Sequence, residues 1–213
     1  MKIILGSQSP RRRELMAGLN IPFTTVTIHA DESYPPELQK GDIPIYISRA
    51  KARAYAGQLQ QDDLLITADT IVWLDGKMLG KPHTEQEAKQ MLRQLSGKTH
   101  QVYTGVTFLR AQRTTKVRTF ENVEKVKKIE KEKMAEREEM ESFVDRTDVT
   151  FKQLTDEEID FYVSHYHPLD KAGAYGIQEF IGYIGVTHLK GSYFNVMGFP
   201  IAQVYKYLKK YNF

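Results

Sequence analysis

The sequence predicts an α/β protein in which strands and helices alternate along the chain. Short apolar runs such as Ile3–Leu5 and Leu64–Ala68 are typical of buried strands. Between these runs lie segments with apolar residues at helical spacing and capping residues at their start, as at Thr84–Leu95. Because this alternation is typical of the α/β class, we assign the chain to it.

The composition favours a folded protein and excludes several functional classes. Of the 213 residues, 41% are hydrophobic and 11% are aromatic, as in globular proteins. The chain has no cysteine, which excludes disulfides, zinc–thiolate sites and a thiol nucleophile. Its net charge of +3 is too small to indicate stable nucleic-acid binding. No apolar run approaches the roughly 20 residues of a membrane span, and the N-terminus lacks the apolar stretch of a signal peptide. We therefore expect a soluble, cytoplasmic protein without a membrane partner.

The first elements are a strand and a capped helix. Residues Met1–Gly6 predict a buried strand. Ser9 follows as an N-cap with Pro10 at the first helical position, and Gly18 and Asn20 indicate the helix end. The same kinds of signal then predict a strand at 23–28, a loop at 31–42 and a helix at 44–56. Extended segments follow at 64–68 and 71–74, with a hairpin turn at Asp75-Gly76. A helix is predicted at 85–95, with Thr84 and Glu87 forming a capping box.

The second half of the chain continues the alternation. The patterns predict strands at 102–109 and 149–151, a helix at 155–163 with a Thr155 and Glu158 capping box, two strand-like stretches between Gly173 and Lys190, and an amphipathic helix at 201–211. Glycines punctuate the stretch Lys171–Gln178, where small residues would let a planar ligand approach the backbone. A tight turn without a ligand is the alternative.

The segment Glu121–Ser142 departs from this pattern because 14 of its 22 residues are charged. Such a segment cannot contribute to a core. Opposite charges four residues apart, as at Glu121 and Lys125, favour a solvated helix by about 0.2–0.5 kcal/mol per pair. A mobile charged loop and a weak partner-binding stripe are the alternatives.

The turn between the first strand and the first helix has the chemistry of an anion site. Backbone N–H groups at a helix N-terminus are free to bind phosphate, and Ser7 and Ser9 add hydroxyl donors. Arg11 and Arg12 lie in the first helical turn, where the helix dipole disfavours cations unless an anion is near. The segment matches neither a Walker A loop nor a dinucleotide glycine fingerprint. An ordinary N-cap with solvated arginines is the alternative.

Carboxylates and lysines elsewhere are candidates for the same site. Asp69 ends an apolar strand segment, the position from which an open α/β sheet presents groups to a crevice, and Asp31 and Glu32 lie in a loop after the second strand. These carboxylates could share a divalent cation through hard oxygen ligands, with turn capping as the alternative. Lys51 and Lys81 would neutralise polyphosphate charge if they converge on the site, and are otherwise solvated.

Together these motifs resemble the Maf family of nucleoside triphosphate pyrophosphatases. The matching blocks cover nearly the whole chain in order: GSQSPRRREL at 6–15, DE at 31–32, RAKARAYA at 49–56, ITADTIVWLDGKMLGKP at 66–82, MLRQLSGKTHQVYTGV at 91–106, LTDEEIDFYV at 154–163, PLDKAGAYGIQ at 168–178 and GSYFNVMGFP at 191–200. The stretch at about 116–145 departs from the family pattern, in which this connection is much shorter. We therefore expect a single two-lobed domain over residues 1–213 with a charged insertion at about 116–145.

The resemblance implies a mixed, twisted sheet with flanking helices and a cleft between two lobes. It also implies cleavage of dTTP and UTP, and of modified pyrimidine triphosphates, to the monophosphate and pyrophosphate with a divalent cation, Mg²⁺ or Mn²⁺. The activity would keep unwanted nucleotides out of nucleic acids. By position, Asp69 matches the family's proton acceptor, while the phosphate, metal and catalytic set is matched by Ser7, Arg12, Glu32, Lys51 and Lys81. Asp69 and Glu32 are the metal candidates.

Substrate preference is implied by three further positions. Arg11, Thr70 and Gln178 match the residues that mark the dTTP/UTP-cleaving branch, and Ser9 completes our substrate-binding set. The expected partner is a nucleoside triphosphate, and a homodimer is a possible assembly. The alternatives are a pyrophosphatase for other modified nucleotides and a nucleotide-binding regulator of cell division without significant turnover.

Overall fold

The computed structural model describes residues 1–111 and 139–211. The strands in these ranges are β1 (Ile3–Gly6), β2 (Thr24–Val26), β3 (Leu64–Leu74), β4 (Lys77–Leu79), β5 (Thr99–Arg110), β6 (Glu139–Phe151) and β7 (Val186–Lys190). The α-helices are α1 (Pro10–Ala17), α2 (Asp42–Tyr55), α3 (Glu85–Leu95), α4 (Asp156–Tyr166), α5 (Phe180–Gly185), α6 (Tyr193–Val196) and α7 (Ile201–Lys209). Short 3-10 turns lie at Ala56–Gln58, Pro168–Asp170 and Ala172–Ala174.

The strands form one mixed sheet in the order β2-β1-β3-β5-β6-β7, with β4 paired to β3. β1 runs parallel to both β2 and β3. The pairs β3–β4, β3–β5, β5–β6 and β6–β7 are antiparallel. The prediction of an α/β fold with a mixed sheet and flanking helices is therefore confirmed.

Apolar side chains alternate between the two faces of β3. Leu64 and Ile66 belong to a core with Met16 of α1 and with α7. Leu65 points to the other face, where its core includes Ala52 of α2. Further along β3, the core is formed by α3, α4 and the strand residues that face them. Because side chains alternate along a strand, helices cover β3 from both sides.

Helix α2 lies directly on β5 at Gly105. A Cβ atom at Gly105 would lie 2.5 Å from the backbone nitrogen of Ile45 and 2.5 Å from the carbonyl carbon of Pro44. Only glycine leaves room for this approach, because backbone atoms of a helix cannot move aside as a flexible side chain can. The close contact sets the height of α2, which carries Lys51, above the sheet.

Three capping predictions can be compared with the structure. The Ser9 hydroxyl accepts from the Arg12 nitrogen with Pro10 at the first turn, and Thr155 and Glu158 form a reciprocal capping box, as predicted. Thr84 accepts from the Glu87 nitrogen, but the Glu87 carboxylate accepts from the nitrogen of His83 at 2.7 Å, one residue before the cap. The α3 cap is therefore not the reciprocal box that the sequence predicted.

Several strand predictions need correction. β3 is one continuous strand, so Asp69 lies inside it and not at its end. β6 starts at Glu139, ten residues before the predicted strand, because it pairs with β5 along the whole length from Thr99 to Arg110. One strand, preceded by α5, replaces the two expected between Gly173 and Lys190. Such non-local pairing overrides the local sequence pattern.

The charged segment is described only in part. The helix or loop predicted over Glu121–Ser142 is wrong for residues 139–142, which belong to β6. The insertion expected at about 116–145 likewise overlaps this strand at residues 139–145. Residues 116–138 of that insertion lie outside the described ranges. Within residues 1–111 and 139–211, no helix is long and apolar enough to cross a membrane.

Candidate active site

The site lies where part of one edge of β3 has no strand neighbour among residues 1–111 and 139–211. β1 pairs with the first four residues of β3, from Leu64 to Thr67, and β4 pairs with its last three, from Val72 to Leu74. Both lie on the side opposite β5, which pairs with β3 throughout. The edge of residues 68–71 is therefore open, since the chain leaves β1 at Gly6 and turns into α1. This gap is the crevice expected at the carboxyl end of a parallel strand.

Asp69 faces α2 from this open edge and forms an ion pair with Lys51. The Nζ atom of Lys51 lies 2.8 Å from Oδ1 of Asp69 and 2.9 Å from Oε1 of Glu32. The side chains of Lys51 and Asp69 are only 13% and 14% exposed, whereas that of Glu32 is 51% exposed. One ammonium thus bridges two carboxylates, and the three groups together carry a net negative charge.

The bridge controls the ionisation of Glu32. Partial burial raises the pKa of Glu32, but the hydrogen bond from Lys51 and the charges of Lys51, Lys81 and Arg12 outweigh burial and lower it. Glu32 is therefore a carboxylate at neutral pH and is available as an anionic oxygen ligand.

Arg12 fills the open edge from the opposite face of the sheet. Its Nε donates to the carbonyl oxygen of Gly198 at 2.8 Å, one terminal nitrogen donates to the carbonyl oxygen of Ala68 at 2.8 Å, and the other donates to the Thr70 hydroxyl at 3.0 Å. Burial lowers the pKa of Arg12, and the Asp69 carboxylate opposes this effect. The guanidinium thus connects α1 to the edge of β3 that no strand covers in the described residues. Two of its five N–H groups remain for other acceptors.

The hydroxyl of Thr70 is engaged within the protein. Besides accepting from Arg12, it lies 2.9 Å from the hydroxyl of Thr104, which in turn donates to the carbonyl oxygen of Asn195 at 3.1 Å. Thr70 therefore connects Arg12 to β5 and α6, and it helps to fix the cavity wall.

Ser7 and Ser9 shape the start of α1. The Ser7 hydroxyl accepts from the backbone nitrogen of Ser9 at 3.2 Å, and the Ser9 hydroxyl accepts from that of Arg12 at 3.5 Å. Each hydroxyl oxygen therefore acts as an acceptor within the turn, which leaves its own proton to donate to an anion. The two hydroxyl donors that the sequence predicted are therefore present, but the N–H groups of Ser9 and Arg12 are engaged within the turn, and the phosphate site stays a prediction.

Two adjoining cavities bring the candidate residues together. The first reaches Asp69, Thr70 and Gln178, and the second reaches Ser7 and Glu32. Both are lined by Ser9, Arg11, Arg12, Lys51, Lys81 and Asp170. All ten candidate residues thus line the same cleft.

Asp31 does not join the carboxylate pair that the sequence placed near Asp69. Its two carboxylate oxygens accept from the Ser33 backbone nitrogen at 2.9 Å and from the Ser33 hydroxyl at 2.7 Å. These bonds hold Asp31 in a local turn, which is the capping role considered as its alternative. Of the two adjacent acidic residues, Glu32 is the one that lines the cleft.

Two charged residues in the cleft wall were missed by the sequence analysis. Asp170 lies 3.5 Å from Arg11, and Lys171 lies 2.7 Å from Asp170 and 3.3 Å from Glu179. Partial burial raises the pKa of Asp170, but Lys171 and Arg11 outweigh this effect and lower it. The available signal was the adjacent Asp170-Lys171 pair in a glycine-rich turn. A lysine that becomes buried requires carboxylate partners, and the neighbouring aspartate is one.

The carboxylate oxygens of the site fit a hard divalent cation whose remaining ligands come from a bound phosphate and water. No cluster of three His, Asp or Glu side chains arranged to hold a metal occurs in residues 1–111 and 139–211. Asp69 and Glu32 supply two carboxylates, and Lys51 balances only one of their charges. Mg²⁺ is commonly bound by one or two carboxylates, with phosphate oxygens and water as its other ligands.

Comparisons with known proteins identify relatives along the full chain. A family model described as Maf-like protein matches residues 2–211. A protein of Phocaeicola vulgatus named dTTP/UTP pyrophosphatase is 50% identical over 212 residues, covering 98% of this chain and 95% of the relative. A protein of the same name from Bacteroides thetaiotaomicron is 50% identical over 210 residues, with the same coverage.

A solved structure with a distant likeness is the nucleoside-triphosphatase / dITP/XTP pyrophosphatase of Mycobacterium abscessus. It is 11% identical, with a TM-score of 0.40, and the match covers 98% of this chain and 94% of that one. This likeness is too low to support a statement about fold or function.

Replacing Lys51 with Met is expected to raise the pKa of Glu32, because the bridging ammonium is lost. Because the pKa of Glu32 is lower in the folded protein than in the unfolded chain, ionised Glu32 stabilises the fold at pH values above the unfolded-state pKa. This stabilisation is lost as the pH falls through the folded-state pKa. The free energy of unfolding of Lys51→Met should therefore fall less on acidification than that of the wild type. Carboxyl carbon NMR titration of Glu32 measures the shift directly.

The matched control is Lys89→Met, which removes a 2.8 Å ion pair with Asp160 on other elements. It should leave the pKa of Glu32 unchanged. Equal Glu32 titrations in the wild type and Lys51→Met would contradict the assigned bridge.

Proposed function

The chain belongs to the Maf-like protein family, and from this premise we propose that it hydrolyses dTTP and UTP to the monophosphate and pyrophosphate. The observation that carries this proposal is the convergence of Asp69, bridged through Lys51 to Glu32, with the capped N-terminus of α1 along two adjoining cavities. The full-length relatives named dTTP/UTP pyrophosphatase support the choice of substrate.

The triphosphate binds at the start of α1. Its oxygens accept from the Ser7 and Ser9 hydroxyls and from the backbone N–H of Arg11, since Pro10 has no N–H and that of Arg12 already donates to the Ser9 hydroxyl. Lys81 and the unused N–H groups of Arg12 add positive charge from the walls of the cleft. Because Arg12 is already fixed by three protein acceptors, it needs little reorganisation to meet the phosphate.

Asp69 acts as the general base. Its Oδ1 is held by Lys51, so Oδ2 accepts the proton of the attacking water. The water oxygen attacks the α-phosphorus, and the bond from that phosphorus to the oxygen bridging it to the β-phosphorus breaks. Pyrophosphate leaves with the bonding electrons, and Lys51 and Lys81 stabilise the charge that develops on it.

Asp69 and Glu32 would hold a divalent cation, Mg²⁺ or Mn²⁺. When bound, the cation would neutralise charge on the phosphates. Lys51 sets the position of both carboxylate ligands through its two ion pairs.

The pyrimidine base is recognised in the first cavity, which Gln178 lines. The Gln178 side-chain amide both donates and accepts, which matches the N3–H and the adjacent carbonyl of uracil or thymine. Arg11 lines both this cavity and the one that Ser7 and Glu32 line. Thr70 contributes by fixing the orientation of Arg12. Because an amide can flip, discrimination against CTP is expected to be weak.

The cellular setting follows from this substrate. We propose that the protein acts in the cytoplasm, as a single two-lobed domain with a charged insertion at about 116–145, to clear unwanted and modified pyrimidine triphosphates. A homodimer is compatible with this role.

A nucleotide panel tests the proposed reaction. With Mg²⁺, dTTP and UTP should release pyrophosphate faster than GTP and ATP, because Gln178 complements uracil and thymine but not guanine. Pyrophosphate and orthophosphate are assayed separately, with contaminating pyrophosphatase excluded. Release of orthophosphate alone, or no turnover of any nucleotide with Mg²⁺ or Mn²⁺, would contradict the proposal.

The variant Asp69→Asn should lower kcat for dTTP by about 10²- to 10⁴-fold, the range expected for loss of a general base. Nucleotide binding should persist because the α1 phosphate site is untouched. Steady-state kinetics and equilibrium binding of dTTP measure the two effects. The matched control is Asp75→Asn in the exposed β3–β4 turn, where a positive φ of 49° suits asparagine. Near-full activity of Asp69→Asn would remove Asp69 from the role.

A further inference from the structure

The turn that carries Gln178 is tied at both ends to one buried hydroxyl. Tyr162 on α4 is fully buried, and its hydroxyl accepts from the backbone nitrogen of Gly176 at 3.0 Å. The same hydroxyl donates to Oε2 of Glu179. Gly176 and Glu179 are the first and last residues of the turn, so Tyr162 closes it from the interior of the protein.

Glu179 continues this connection toward the phosphate end of the cleft. Its Oε1 lies 3.3 Å from Nζ of Lys171, which lies 2.7 Å from Oδ1 of Asp170. Asp170 in turn lies 3.5 Å from Arg11 on α1. A continuous chain of polar contacts therefore joins the turn that carries Gln178 to the helix that begins the phosphate site.

The protonation of Tyr162 suits this arrangement. Burial raises the pKa of the Tyr162 hydroxyl, and the hydrogen bond and charge of Glu179 raise it further. The hydroxyl therefore keeps its proton at all physiological pH values and donates it to Glu179. Removing the hydroxyl would leave the Gly176 N–H and the Glu179 carboxylate without a shared partner.

Close packing within the turn and against α5 also restricts it. A Cβ atom at Gly176 would lie 2.7 Å from the carboxyl carbon of Glu179. A Cβ atom at Gly182 on α5 would collide with the backbone carbonyl of Ile177. The backbone of the turn therefore has little room to move while Tyr162, Glu179 and α5 stay in place.

We propose that Tyr162, Lys171 and Glu179 are positioning residues that set base selectivity by fixing the turn Gly176–Glu179, which carries Gln178. The proposal rests on the proposed function, in which Gln178 reads the base. A hydrogen bond weakens steeply when its geometry is lost, so the Gln178 amide discriminates between bases only if its backbone is held still. Glu179 is central because its two oxygens contact both Tyr162 and Lys171.

The test compares Tyr162→Phe and Glu179→Gln with the wild type on dTTP and GTP. Each variant should raise KM for dTTP about tenfold, the equivalent of about 1.4 kcal/mol, with kcat changed by less than about twofold. The constants for GTP should change little, so selectivity should fall about tenfold. The matched control is Tyr166→Phe, whose exposed ring stacks on Tyr162 from the same helix and which should retain wild-type selectivity.

Binding and stability measurements separate a positioning role from a merely structural one. Calorimetry with the non-hydrolysable α,β-imido analogues of dTTP and GTP gives the selectivity ratio without turnover, and thermal unfolding reports the fold. A lower melting temperature with unchanged selectivity in both variants would overturn the proposal. If Tyr162→Phe fails to fold, the isosteric Glu179→Gln decides the test alone.

Failure of the proposed function has a different signature. A wild-type protein that binds and cleaves neither dTTP nor UTP selectively would overturn the proposed function and this proposal with it. A selective wild type whose variants are equally selective would overturn this proposal and leave the proposed function intact.

Discussion

The candidate active site depends on a gap in strand pairing along one edge of β3. β1 ends at Gly6, and β4 pairs only from Val72 onward, so the strand between them offers its backbone and both of its faces. Helices on opposite faces then supply the functional groups, Lys51 from α2 and Arg12 from α1. An open edge would ordinarily invite pairing with another strand, and here the Arg12 guanidinium covers it. The gap thus explains why the candidate catalytic and phosphate-binding groups meet at this point of the sheet.

The charged groups around this gap have polar partners before any substrate arrives. Lys51 contacts two carboxylates, Arg12 has three oxygen acceptors, and Lys171 contacts Asp170 and Glu179. A buried charge without such partners would destabilise the fold severely. The same contacts hold each group in a fixed orientation, which is the condition for stabilising charge that develops during a reaction. The polar contacts that stabilise these charged side chains in the fold are therefore the same contacts that orient them for catalysis.

The sequence predicted features that depend on neighbouring residues better than those that depend on pairing between strands. The caps at Ser9 and Thr155 and the turn at Asp75-Gly76 were predictable, because each is formed within a few residues. The position of Asp69 inside β3 was not, because β3 continues past the end of β1 by pairing with β5, and the length of β6 depends on the same partner strand. The ten candidate residues were found through ordered motifs and do line one cleft, whereas the contacts of Glu179 with Tyr162 and Lys171 join distant elements that no short pattern connects.

The most direct measurement of the central claim is hydrolysis of dTTP in ¹⁸O-labelled water, followed by mass spectrometry of both products. Attack of water on the α-phosphorus, with Asp69 accepting its proton, places one ¹⁸O atom in the thymidine monophosphate and none in the pyrophosphate. Label in the pyrophosphate would mean that water attacks the β-phosphorus instead. That result would contradict the assignment of Asp69 and the α1 phosphate site to the reaction described here.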